Sequence, residues 1–240
     1  MLTITTIIAF MSTLLGGLFA LHFRDRLHLI LGFSAGAVIG VAFFDLLPEA
    51  ITLGGEYYGV SFVTSIMALG FILYMILDRF VIIHGHRHEE ETGDRHNRGI
   101  LGAGSLSVHS FLDGIAVGLA FQVSNAVGIV VAIAVLAHDF SDGINTVSMI
   151  IKNGGKAKEA FFWLLADAIA PVLGIISTLF FTLSTQVLGL MLALFAGFFI
   201  YIGASDLLPE SHHAHPTIWT TAMTILGIAV LFTAIKLAGI

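Results

Sequence analysis

Two short motifs hold the groups in this chain that can do chemistry. VHSFLDGIAVG places His109 four residues before Asp113, and AHDFSDGINTV places His138 four residues before Asp142, with Asp139 beside them. Four residues return a helix to the same face, so each segment presents an imidazole and a carboxylate together. Imidazole and carboxylate without thiolate suit Zn²⁺, Fe²⁺, Mn²⁺ and Co²⁺, and the chain has no cysteine. Disulfides are excluded too, and the redox compartment stays open. Such ligands bind only when deprotonated, so affinity should fall in acid.

The elements that position these motifs must lie in a membrane. Of the 240 residues, 57% are hydrophobic and only 11% charged, where soluble domains run about 45–50% apolar and about 25% charged. Mean hydropathy is +0.98. A soluble enzyme, a nucleic-acid-binding module and a secreted scaffold are excluded. Polar punctuation separates eight apolar stretches at 2–21, 28–48, 60–83, 100–122, 126–151, 160–184, 187–208 and 217–239. About twenty helical residues cross a hydrocarbon core of about 30 Å. The expected fold is therefore an all-α polytopic membrane protein of eight transmembrane helices in one domain, 1–240. The first stretch lacks a basic leader and a small-residue cleavage site, and reads as a retained helix.

The net charge of −6 says little about orientation, which follows the placement of Lys and Arg. Arg24, Arg26, Arg87, Arg95, Arg98, Lys152, Lys156 and Lys158 fall between spans 1 and 2, 3 and 4, or 5 and 6, and Arg79 in the last turns of span 3 on that same side; Lys236 alone does not fit. That side is expected to be cytoplasmic, with both termini outside. DLLPEA at 45–50 closes span 2 and DLLPES at 206–211 closes span 7. Five spans apart, the copies cross in opposite directions. An inverted 3+2+3 repeat around a central hairpin is a transporter signature.

Spans 4 and 5 form that hairpin, with its turn near 123–126. The pairs His109/Asp142 and Asp113/His138 share one midpoint in sequence, so each pair should lie at one depth. They sit about 20–25 Å from the turn. Three aspartates at helix centres would cost roughly 8–10 kcal/mol uncompensated, and a bound cation compensates. A single buried His or Asp often serves only a helix–helix hydrogen bond. Five at matched depth point to function.

Other carboxylates mark a route. Asp45 and Glu49 are expected at the outer end of span 2, and Asp206 and Glu210 at the inner end of span 7, followed by HHAH at 212–215. Pro48 and Pro209 should end or kink those helices. Terminal acids can equally face headgroups or water. Asp167, one turn before Pro171, is more deeply placed. A cytoplasmic loop at about 84–99 carries His84, His86, His88 and His96 among acids. It can collect divalent metal weakly or serve as a solvated linker.

HSFLDG, HDFSDG and the two DLLPE copies, with eight spans and a histidine-bearing 3–4 loop, resemble the ZIP (Zrt/Irt-like protein) family of divalent metal transporters across essentially the whole chain. The resemblance implies import of zinc, and often iron, manganese or cadmium, by an elevator-like shift of one helix bundle. It implies a binuclear site: His109, His138 and Asp142 in the first position, with Asp142 bridging, and Ser110, Asp113, Asp139 and a span 6 carboxylate in the second. Departures from the family pattern are Ser110 for Asn, Leu112 for Pro, Ser141 where Pro is common, and Ala170 where Glu often precedes Pro171. Asp167, three residues before Ala170 and on nearly the same helical face, would substitute.

The expected partners are divalent metal ions, as transported substrate and not as cofactor, and the lipid bilayer, with no nucleic acid. The expected location is the plasma (inner) membrane. The small-residue stretch GFSAGAVIG at 32–40 can pack helices within one chain or between two copies as a homodimer. Two other functions share part of this pattern. A proton-coupled exporter of the cation-diffusion type also pairs His and Asp, but usually with six spans. An intramembrane metal-dependent hydrolase needs only three ligands and an open water position, yet no HExxH motif is present.

Overall fold

The computed structural model describes residues 1–22, 27–92, 95–213 and 217–238. Arg24, Arg26 and His215 lie outside the described residues. So do the side chains of His84, His86, Arg87, His88, Arg95, Arg98, Lys152, Asp206, Glu210, His212 and His213. The described residues form no strand. Their α-helices are α1 (Leu2–His22), α2 (Leu27–Val41), α3 (Leu47–Tyr58), α4 (Val60–Thr92), α5 (Arg95–Val123), α6 (Asn125–Lys152), α7 (Ala157–Ser177), α8 (Thr185–Tyr201), α9 (Leu208–His213) and α10 (Ile218–Ala238). Eight segments are long and apolar enough to cross a bilayer: Leu2–Leu21, Leu31–Tyr58, Val60–Arg79, Gly99–Val123, Asn125–Ile151, Ala157–Phe180, Thr185–Ser205 and Ile218–Leu237. The all-α, eight-span expectation holds. Ile4, Ile7, Leu69, Leu73, Ile76 and Phe162 are exposed, as suits helices whose outer solvent is hydrocarbon.

Two boundaries differ from expectation. The first DLLPE copy does not close its span, whereas span 7 ends at Ser205, directly before the second. In each, a π-helical turn (Ala42–Leu46 and Ile202–Leu207) precedes the proline, and an α-helix resumes at Leu47 or Leu208. Proline is tolerated in the first turn of a helix, where its missing N–H costs nothing; Pro48 sits in the first turn of α3. Span 2 therefore continues to Tyr58, and Asp45 stands thirteen residues, about 20 Å, before that end. It is not at the outer end. Finally, the segment expected as a loop at 84–99 is helical through Thr92, with α5 beginning at Arg95.

The chain divides into two compact units, and the division runs through α4, α5 and α6. The first comprises Met1–Asp25, Ile76–Ile115 and Asp139–Ser177. Its helices approach so closely that glycines face backbone. A Cβ on Gly143 would meet the Thr13 carbonyl, and one on Gly16 the Phe140 carbonyl, which locks α1 to α6. Gly114 lies against the Pro171 carbonyl and Gly174 against that of Phe111, which locks α5 to α7.

The second unit comprises Arg26–Met75, Ala116–His138 and Thr178–Ile240. Here α2 and α10 run side by side, with Gly36 against the Thr224 carbonyl and Gly227 against the Phe33 carbonyl. Phe71, Tyr74, Phe198 and Tyr201 form an aromatic cluster between α4 and α8, with ring centroids 5.3–5.5 Å apart.

Backbone carbonyls cannot yield to a new methyl group without moving a helix, and such overpacking costs about 1–3 kcal/mol. Gly36→Ala is therefore expected to lower the melting temperature of the detergent-solubilised protein by several degrees. Gly104→Ala should leave it unchanged, because the nearest atoms, on Trp163, lie at 3.7 Å. Differential scanning fluorimetry checks both.

Candidate metal centre

In the first unit, α5 and α6 face each other in an antiparallel register that can be read directly. A Cβ on Gly102 would strike the Met149 side chain, and the two positions sum to 251. So do His109 and Asp142, whose Nε2 and Oδ2 lie 3.6 Å apart. The depth matching expected from the sequence is thus observed for this pair. One turn along α5, Asp113 Oδ2 lies 3.1 Å from the same His109 Nε2. His109, Asp113 and Asp142 are all buried, and their ligand atoms lie within 4.8 Å of one another.

One imidazole nitrogen between two buried carboxylates is a charge arrangement of a particular kind. With a proton on Nε2 alone the ring is neutral and only donates to a carboxylate; as an imidazolium it would offset one of the two negative charges. A divalent cation would offset all of it and accept lone pairs from all three groups.

His138 sits one turn before Asp142 on the unbroken α6, so both present the same helical face. It is buried, and its Nδ1 lies 3.0 Å from the Ala134 carbonyl. A carbonyl only accepts, so Nδ1 carries the proton and Nε2 is the lone-pair nitrogen of the neutral ring. A backbone partner that fixes the tautomer in this way is the usual support of a metal-ligating histidine. The Phe199 ring, with centroids 5.9 Å apart at 76°, holds the imidazole plane from the side.

Asp167 is fully buried in α7. Ser110 Oγ donates to its Oδ1 at 2.8 Å, and Thr146 Oγ1 donates to its Oδ2 at 2.8 Å. The α5–α7 crossing makes the first bond possible: Gly114 and Pro171, each one turn further on, bring the backbones into contact. Pro171 has no N–H for the Asp167 carbonyl. Asp139 is also buried, three residues before Asp142 and turned partly around the helix from it.

The structure thus joins His109, Asp113 and Asp142 in one cluster and Ser110 with Asp167 in another. Thr146 was missed from the sequence, although it continues the four-residue series His138, Asp142, Thr146 on α6. His96, expected in the histidine-bearing loop, instead lies on α5, with Nε2 3.0 Å from Glu159 Oε1.

Comparison with known proteins gives this geometry a context. The family model for the ZIP zinc transporter matches residues 83–234. The chain belongs to the ZIP zinc transporter family. It is 27% identical to the zinc transporter ZupT of Corynebacterium aurimucosum over 95% of this chain and 93% of that one. It is 30% identical to ZupT of Chlorobium phaeovibrioides over 95% and 96%. A partial match, 32% identical over 50% of this chain, reaches the zinc transporter foi of Drosophila melanogaster, of which it covers 17%. As a ZIP family member with eight apolar spans, the chain is a multi-pass integral membrane protein that handles divalent metal, and its buried His/Asp group suits that role.

A buried carboxylate that loses one hydroxyl donor is expected to cost about 1–3 kcal/mol. Ser110→Ala and Thr146→Val should each lower the thermal stability of the solubilised protein. The double variant should lose less than the sum, because both hydroxyls serve one carboxylate. Melting curves of the four proteins check this.

Proposed function

We propose that this ZIP family member carries divalent cations, zinc foremost, across the plasma membrane into the cytoplasm, and that the ion passes through the His/Asp cluster on α5 and α6. The observation that carries this reading is the His109 imidazole between Asp113 and Asp142, buried within membrane-spanning helices. The metal is cargo in this reading, and the chain needs no cofactor. The ZupT relatives are bacterial zinc transporters by name, which supports both the ion and the membrane.

In the proposed path, His109, His138 and Asp142 take the ion first. The Nδ1–H bond to Ala134 keeps His138 in the tautomer that offers Nε2. Ser110, Asp113, Asp139 and Asp167 make the second position, with Asp142 shared. Asp167 reaches it already oriented by Ser110 and Thr146, each of its oxygens retaining a lone pair. The sign of the pH effect follows from competition: a proton on either imidazole or on Asp142 occupies the lone pair that the metal needs. The side bearing the nine clustered basic residues is the proposed cytoplasmic side, with both termini outside.

Zinc influx into proteoliposomes tests the reading. Saturable uptake is expected in the wild type, reduced by at least about tenfold in His138→Ala and in Asp142→Ala. Uptake should also weaken as the outer pH falls from about 7.5 to about 5.5. Zinc extrusion driven by an inward proton gradient would replace this reading with an exporter. Uptake unchanged in both variants would remove the site.

A further inference from the structure

The second unit holds a carboxylate that the transport site does not use. Asp45 is 1% exposed, and neither of its side-chain oxygens has a hydrogen-bond partner among the described residues. Buried polar groups are nearly always satisfied, and an orphaned carboxylate within a membrane span is among the more costly exceptions. It lines a cavity of about 360 Å³ shared with Glu49, Thr52, Lys236 and the rings of Phe44 and Phe232. Asp45 belongs to the π-helical turn Ala42–Leu46, a local distortion of the kind that recurs at functional sites. Pro48, also in the wall, removes one backbone donor from the turn that follows.

We propose that this cavity is a second divalent-cation site, separate from the His/Asp cluster, in which Asp45 and Glu49 are the ligands. The donors are carboxylates, with the Thr52 hydroxyl able to accept while it donates to the Pro48 carbonyl at 3.0 Å. Glu49 follows Asp45 by one helical turn, so both carboxylates face the same space. An all-oxygen set without imidazole favours hard cations such as Mn²⁺ or Mg²⁺, where the His-bearing cluster favours zinc. Water fills the remaining positions, and the cavity has room for it.

Lys236 provides the local control on charge. Its Nζ lies 5.8 Å from the centroid of the Phe232 ring, held by a cation–π contact at the cavity wall. Two carboxylates and one ammonium leave the space with a net negative charge. A divalent ion that enters is attracted by the acids and repelled by Lys236, which makes the site weak enough to release what it binds.

The proposal rests on the transport reading only in that divalent ions reach the cavity, so the test uses protein in which the first site has been removed. Mn²⁺ binding to detergent-solubilised His109→Ala/Asp142→Ala protein is measured by electron paramagnetic resonance, with monodispersity checked by gel filtration. One Mn²⁺ per chain that depends on Asp45 and Glu49 is expected, counted apart from any held at Asp113, Asp139 and Asp167. Adding Asp45→Asn or Glu49→Gln should abolish it, and adding Lys236→Gln should tighten it several-fold. Two independent ligand variants keep the test decisive if one fails to fold. Absence of bound Mn²⁺, or binding indifferent to both Asp45→Asn and Glu49→Gln, overturns the proposal and marks Asp45 as a neutral buried acid. Zinc influx by the wild type is read separately, so its loss would overturn the transport reading without touching this one.

Discussion

Charge inside a membrane helix is the constraint on which the rest of this structure depends. An aspartate at the centre of a span cannot draw on water, so its neighbours must offer protons, hydroxyls or a cation. The chain meets this demand in two ways within its first unit. His109 sits between Asp113 and Asp142, while Ser110 and Thr146 each donate one hydrogen bond to an oxygen of Asp167. The first arrangement leaves negative charge in excess of the imidazole, which suits a transported cation. The second neutralises nothing; it fixes the orientation of a carboxylate.

Such short polar distances require helices that come close, and glycine permits this. In each unit the contacts are reciprocal: Gly114 and Gly174 across α5 and α7, Gly16 and Gly143 across α1 and α6, Gly36 and Gly227 across α2 and α10. Lipid supplies no hydrophobic drive between helices, so packing and polar contacts must hold them. Close approach raises the dispersion contact and brings hydroxyls within reach of carboxylates in the same step.

The π-helical turns show how a repeated sequence can be misread. DLLPE looks like a helix end because proline lacks an N–H and clashes with the preceding turn. At the first copy a π-helical turn precedes the proline, and the span runs on to Tyr58. Asp45 consequently lies well inside its span and is buried, where a terminal position would have left it to headgroups or water. The chemistry open to that carboxylate changes with its depth.

Much of this protein was legible in one dimension. Span count follows from apolar length, and the His/Asp motifs follow from the four-residue return of a helix. The level placement of His109 with Asp142 follows from a hairpin with a one-residue connection at Ser124. These are local rules: each depends on rise per residue and on residues near one another in the chain. Thr146 as a partner of Asp167, the Ser110 bond across to α7 and the cavity around Asp45 were not legible. Each joins helices distant in sequence, at a rotation and separation set by where glycines let backbones touch. Sequence determined which groups the membrane would have to satisfy; tertiary packing decided which partners satisfied them, because interhelical contact is not periodic along the chain.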